Sequence, residues 1–218
     1  RRALHSGITS GSDHEYSGGS CIGETSIFCR SLGVTYAPVP DDVAIMIVHS
    51  GVTRGLVDGH YNARRRQCEV AARAMGVPAL RDADLDMLAA ASLDAVTKMR
   101  ARHVITENQR TLDAADALAK SDLATLGMLM AQSHLSMRDD FEITVPPVDA
   151  LVAMLQKAIG TQGGARMTGG GFGGACVAVM PSAMVADVQA AITAEYRTPE
   201  GNAPIIMVER PGPGVAIL

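Results

Sequence analysis

The chain has no tryptophan and few other aromatics, with three Phe and four Tyr in 218 residues. Its core must therefore be filled by Ala, Val, Leu and the twelve Met, with the flexible methionines taking irregular gaps. No apolar stretch approaches the roughly 18 residues that a membrane-spanning helix needs. The segment Arg1 to Ser20 is polar and lacks the apolar stretch of a secretory signal. The four cysteines, Cys21, Cys29, Cys68 and Cys176, match neither a zinc pattern nor a redox pair, so a reduced, cytoplasmic setting is expected. Cys68 and Cys176 lie in helical and strand-like contexts and read as small buried hydrophobes. Basic residues are not in excess: 19 Lys and Arg stand against 23 Asp and Glu, which excludes a general nucleic-acid binder. No Gly-x-x-x-x-Gly-Lys-Ser/Thr occurs, so there is no P-loop. What the chain does have is apolar material, at 47%, enough for a sizeable core without staples.

Residues 1–29 are rich in Gly and Ser and hold no period, so they are set apart from 30–218 as an atypical, non-homologous or disordered segment. Val43 to His49 is a short apolar run between Asp41-Asp42 and Ser50-Gly51, the pattern of a buried strand. A helical period runs from Asp58 to Met75 and stops at Gly76. A short helix is expected over Asp84 to Ala91. A strong one follows over 100–119, with Val104, Ile105, Leu112, Ala115 and Leu118 facing inward. Ser121 is expected to cap the next helix, through about His134. Pro146 and Pro147 open another, with Val148, Leu151, Val152, Leu155 and Ile159 inward and Gly160 at its end. Pro181 is expected to start a helix striped by Val185, Val188 and Ile192. Pro204 to Glu209 reads as the last strand, followed by a Pro/Gly-rich coil. Strands and helices neither alternate strictly nor segregate. That order predicts an α+β fold, a small antiparallel sheet with helices on one face.

The richest local signal is Gly163-Gly164-Ala165-Arg166-Met167-Thr168-Gly169-Gly170-Gly171-Phe172-Gly173-Gly174-Ala175, in which seven of thirteen residues are glycine. Glycine permits positive φ and close approach of backbone amides to a ligand, and clustered amides can cradle an anion. Gly169-x-Gly171-x-x-Gly174 formally satisfies the dinucleotide fingerprint. That reading fails because a strand-like run, Cys176 to Met180, follows it where a helix is required. A purely structural hairpin with glycines packed under a helix competes with a ligand-handling turn.

Arg166-Met167-Thr168-Gly169-Gly170-Gly171-Phe172-Gly173-Gly174 closely resembles the third glycine motif of the GHMP small-molecule kinases. Three further segments resemble the galactokinase branch: Tyr61-Asn62-Ala63-Arg64-Arg65-Arg66-Gln67-Cys68-Glu69, Leu80-Arg81-Asp82, and Ser133 through Pro146. Arg102 to Asn108 also fits. The resemblance covers roughly residues 29–210. It implies a GHMP kinase C-terminal-type sandwich and transfer of the γ-phosphoryl of Mg-ATP to the anomeric hydroxyl of galactose. ATP and Mg²⁺ are thus implied as cofactors, and galactose and ATP as partners, with no nucleic acid and no membrane. Gly169, Gly170, Gly171, Phe172, Gly173 and Gly174 are implied to support the active-site backbone near nucleotide and sugar. Tyr61 is implied to hydrogen-bond the sugar.

Two polar groupings carry no catalytic assignment. Tyr61, Arg64, Arg65 and Cys68 share one helical face, which continues to Ala71, Ala72 and Met75. A partly buried Arg there must find an acceptor, with Asp139 or Asp140 as candidates. Ser133, His134, Arg138, Asp139 and Asp140 could in principle bind Mg²⁺ or supply a base. A helix terminus with a buried polar network is the favoured reading. His5, His14, His49, His60 and His103 stand at no ligand spacing and are assigned nothing.

The family's early sugar segment, its Ser-rich phosphate loop and its Met-Asp-Gln base segment are not found in this sequence, so no catalytic residue is assigned and no metal ligand is named. The expectation is a truncated galactokinase-like chain, inactive by itself, in possible contact with a missing N-terminal domain. The alternatives are a degenerate sugar-sensing or partner-binding domain, or another GHMP kinase acting on mevalonate or homoserine.

Overall fold

The computed structural model describes residues 25–28, 33–36, 39–53 and 58–209. The expectations for 1–24 and for the 210–218 tail lie outside the described residues. Elements follow in the order β1 (Thr25–Phe28), β2 (Gly33–Tyr36), β3 (Val43–His49), α1 (Asp58–Met75), α2 (Leu85–Ala90), α3 (Ala95–Ala119), α4 (Leu123–Asp139), α5 (Pro146–Ile159), β4 (Gly164–Met167), β5 (Ala175–Pro181), α6 (Val185–Glu195) and β6 (Ile205–Glu209). β1 and β2 form an antiparallel pair of their own. The other four strands make one antiparallel sheet in the order β4-β5-β3-β6. The α+β expectation therefore holds.

The apolar period puts the core where it should. On β3, Ala44, Met46 and Val48 alternate to one face. They meet Cys176, Ala178 and Met180 of β5 and Ala165 and Met167 of β4. That face packs on the stripe Val148, Leu151, Val152, Leu155 and Ile159 of α5 and on Val188 and Ile192 of α6, all at most 1% exposed. Cys68, Ala71 and Ala72 bring α1 into the same core.

The helices do not keep to one face, as the sequence suggested. Val43, Val177 and Val179 point the other way and pack on Ala117, Leu118, Leu126 and Met130 of α3 and α4. β5 is consequently buried on both faces along Cys176–Met180. Its unbroken apolar run is the signature of such a strand.

Four boundaries moved. Asp94 caps α3 through the Thr97 amide (2.9 Å), so that helix starts five residues before 100. Ser121 does not cap α4. It closes α3: at φ 56° its amide reaches Leu118 O (3.0 Å), while the Asp122 amide reaches Ala117 O (2.8 Å). This is the double bond of a left-handed helix terminus. Asp122 then caps α4 through Thr125 N (3.0 Å), and α4 runs on to Asp139. Pro181 ends β5, and a single 3₁₀ turn, Ser182–Met184, separates it from α6. Leu112, expected inward, is 47% exposed.

One helix glycine fixes the height of α4 over the sheet. A Cβ on Gly127 would lie 1.8 Å from the backbone oxygen of Gly163, and one on Gly164 would lie 2.5 Å from Gly127 Cα. Gly164 of the rich run thus serves helix-on-strand contact, whereas a Cβ on Gly163 would meet Val179 O of β5 at 2.0 Å. Gly127→Ala should lose about 3 kcal/mol or more despite its better helix propensity, because neither backbone can yield. Urea unfolding would measure it, and a neutral or stabilising result would contradict the close contact.

Candidate active-site hairpin and its supports

β4 and β5 are joined by the turn Thr168–Gly174, at the sheet end where β3 exits through Ser50–Gly51–Val52. Four glycines of this turn have positive φ: Gly169 (84°), Gly171 (86°), Gly173 (131°) and Gly174 (85°). Two of them are demanded by packing. A Cβ on Gly171 would meet Ile143 O at 2.5 Å, and one on Gly173 would meet Val52 O at 2.8 Å. Gly169 and Gly170 form the exposed tip.

The turn is bonded on two sides. Ser50 N (2.9 Å) and Ser50 Oγ (2.7 Å) both donate to Gly174 O, and Gly174 N donates to Val52 O (2.9 Å). Buried Ser50 is held in turn by Tyr196, whose hydroxyl donates to Ser50 O at 2.7 Å. On the other side Phe172 N donates to Ile143 O at 2.6 Å. Phe172 itself sits at φ 61°, and its ring lies 5.2 Å from that of His60 in the first turn of α1. Tyr61, the next residue, is 36% exposed at the same end of the molecule.

Ile143 ends the turn that follows α4, and arginines hold that turn. Arg64 donates through Nε to Phe141 O (2.6 Å) and through Nη2 to Glu142 O (3.0 Å). Arg100, 2% exposed, reaches Asp140 O and the Glu142 carboxylate. Arg102 pairs with the Asp140 carboxylate, and Arg138 with Asp139 (2.7 Å). The expected pairing of the α1 arginines with Asp139 or Asp140 is therefore wrong. Arg64 takes main-chain carbonyls, which lie inward of those side chains, and Arg65 pairs along its own helix with Glu69 (2.9 Å).

A second network lies against β4. Glu107 accepts from Ser133 Oγ (2.5 Å), Arg110 Nε (2.8 Å) and Arg166 Nη1 (3.3 Å), and Arg166 also donates to Ser133 Oγ (2.9 Å). Burial alone would raise the Glu107 pKa. Arg166, His103, Ser133 and Arg110 outweigh it and hold the carboxyl below its ordinary range. His134 Nδ1 accepts from Met167 N at 3.3 Å, which leaves the proton on Nε2, 3.2 Å from Asp149. Desolvation holds His134 below the usual histidine pKa. The run Ser133–Asp140 ends α4 and joins these polar networks. Among the described residues no group of three His, Cys, Asp or Glu could hold a metal ion.

Residues 114–198 match the family model described as GHMP kinases C terminal. The backbone also matches the galactokinase of Lactococcus lactis, solved in complex with galactose, at a TM-score of 0.77 and 29% identity over 85% of this chain and 50% of that one. A mevalonate kinase of L. major in complex with R-mevalonate matches at 0.56 and 17% identity, over 82% and 46%, a likeness of fold alone. Residues 114–198 thus resemble a GHMP kinase C-terminal domain, and the fold is like that of a galactokinase. It spans about half the length of the kinases it matches.

The structure brings the glycine turn and the start of α1 together through His60 and Phe172. His60 and His103, given no role from spacing, both have one. His103, 8% exposed, meets Ser136 Oγ at 2.9 Å and stacks on Phe141 with centroids 4.4 Å apart. Arg100 and Glu107 were missed. Their signal was available: Arg100, His103 and Glu107 follow each other at helical spacing along the apolar side of α3, where a polar residue must be partnered. The described residues do not fit a nucleotide's phosphates or its metal. The amides of Phe172 and Gly174 are spent on Ile143 and Val52, and Gly171 and Gly173 are filled against protein backbone. No catalytic step through ATP or Mg²⁺ follows from them. No helix among the described residues is long and apolar enough to cross a membrane.

Burial pushes the His103 pKa down to about 4. Its folded pKa lies below the unfolded value near 6.5. The stability tied to neutral His103 is therefore complete above about pH 6.5 and is lost as pH falls toward 4, amounting to about 3 kcal/mol. His134 acts in the same direction. Urea midpoints between pH 7 and pH 4 should fall steeply in the native chain and less in His103→Gln. Equal slopes for the two would refute the assignment.

Proposed function

We propose that this chain is the sugar-side part of a galactokinase, acting in ATP-dependent phosphorylation of galactose at its anomeric hydroxyl. ATP and Mg²⁺ are the implied cofactors. Phosphoryl transfer needs little covalent chemistry from protein; it needs positioned reactants and stabilised charge. The described residues offer the first of these. Tyr61 is the proposed sugar contact, and Gly169 to Gly174 are the proposed backbone support beside sugar and nucleotide.

The observation that carries the reading is the junction of the two segments: the His60 ring lies tilted 5.2 Å from that of Phe172, so the Tyr61 helix turn and the glycine turn meet at one end of the fold. The likeness to a galactokinase solved with galactose supports the choice of acceptor. The phosphate cradle, the metal site and the group facing the acceptor hydroxyl are assigned to no described residue, and they are proposed to come from a partner half.

The chain should bind galactose by saturation-transfer NMR in preference to mevalonate and homoserine. Joined to the N-terminal half of a galactokinase, it should support ADP release with galactose as acceptor. In that protein Tyr61→Phe should raise the galactose KM about 3- to 10-fold, the worth of one net hydrogen bond. A preference for mevalonate or homoserine, or a Tyr61→Phe variant with unchanged KM, would overturn the assignment.

A further inference from the structure

We infer that Arg64 is a positioning residue that couples the sugar-side helix turn to the glycine turn, an inference that rests on the reading of Tyr61 as the sugar contact. Arg64 follows Tyr61 by three residues, on the same face of α1. Its guanidinium, with a side chain only 12% exposed, donates to the carbonyls of Phe141 (2.6 Å) and Glu142 (3.0 Å). The next carbonyl, Ile143 O, accepts the Phe172 amide at 2.6 Å. One turn of helix is thereby tied to the main chain of Phe172 through three consecutive carbonyls.

A parallel link reaches the same residue. The His60 ring, beside Tyr61 in sequence, lies 5.2 Å from the Phe172 ring at 35°. Phe172 has φ 61°, and Glu142, in the clamped turn, has φ 49°. A residue other than glycine stays in that region only when its surroundings over-determine it. Two such residues on one path mean that the path stores strain and relaxes when a tie is cut.

The other charges around the turn cannot replace Arg64. Arg100 holds Asp140 O and the Glu142 carboxylate, and Arg102 holds the Asp140 carboxylate, but both belong to α3 and tie the turn to that helix instead. The Glu142 carboxylate lies 3.8 Å from Arg64 and is 56% exposed. The planar guanidinium fork spans two successive carbonyls, whereas a lysine ammonium would serve one. Sugar bound at Tyr61 would steady the first turn of α1, and Arg64 would pass that order to Gly169–Gly174.

Hydrogen exchange of the chain tests this, read on peptides covering Thr168–Ala175 with and without galactose. Without sugar, Arg64→Lys should speed exchange there about fivefold, the worth of one hydrogen bond near 1 kcal/mol. Peptides of α5 and α6 should stay unchanged. With sugar, the native chain should slow at the glycine turn, and Arg64→Lys should lose that slowing while still binding galactose by NMR. Native exchange in the variant, or a uniform rise across α5 and α6, would overturn the inference. If galactose fails to bind the native chain, the proposed function falls, while the sugar-free arm still decides the coupling. If Arg64→Lys does not fold, exposed His60→Leu gives the second measure. Faster exchange confined to the glycine turn supports convergence on Phe172, and no change overturns it.

Discussion

The grip of Arg64 and Arg100 on the carbonyls of Asp140, Phe141 and Glu142 is the constraint on which the rest of the site depends. A turn leaving a helix has carbonyls that the helix no longer satisfies. Here the first three after α4 point at guanidinium groups from two other helices. The fourth, Ile143 O, is thereby left in place to accept Phe172 N, and Gly171 must lack a Cβ so that the two chains can close to that distance. Charge-assisted bonds to main chain suit the task, because a guanidinium fixes direction as well as distance. The other side of the glycine turn uses neutral bonds instead, from Ser50 and to Val52, and is anchored by Tyr196.

Burying so many charges is costly unless each is paired and hydrogen-bonded. Along α3 the solution is a polar stripe set into an apolar face. Arg100 answers the turn, His103 answers Ser136 and stacks on Phe141, and Glu107 answers Ser133, Arg110 and Arg166. Arg166 is the first residue of the glycine motif, and its partner Glu107 sits nearly sixty residues earlier. The motif's strand is therefore located at two adjacent residues: Arg166 is pinned on one face, and the Met167 amide is capped by His134 at the sheet edge. A capped edge amide also removes a donor that could recruit another strand.

What could be read from the sequence was what local chemistry decides alone. The strand Val43–His49, the helix Asp58–Met75 with Gly76 after it, and the Pro146–Ile159 helix all emerged because their period and end residues agree. Ser121 misled because serine suits a cap, while its left-handed backbone depends on how α3 terminates two residues earlier. Leu112 misled because the cover of α3 lapses around residues 109–113 and resumes at Ala117 and Leu118. The arginine partners could not be read, since carbonyls carry no sequence identity. The coverage of the sheet's second face depended on where α4 lands, which the single glycine Gly127 permits.

The glycine motif itself is best understood as two kinds of position. Gly171 and Gly173 are glycine because other protein backbone occupies the space of a side chain, at Ile143 and Val52. Gly169 combines a φ of 84° with open space around its Cβ position, at the exposed tip beside Gly170. A ligand-handling role can rest only on the second kind, because the first is already filled. The inner glycines then serve the tip. They let the turn be bonded from both sides, so that the tip is held by a rigid base and its main chain need not be ordered when a ligand arrives. Preorganisation of this kind spares a binding turn the cost of ordering its main chain. A substitution at an inner glycine would consequently disturb the tip through its base, without removing any atom that a ligand could touch.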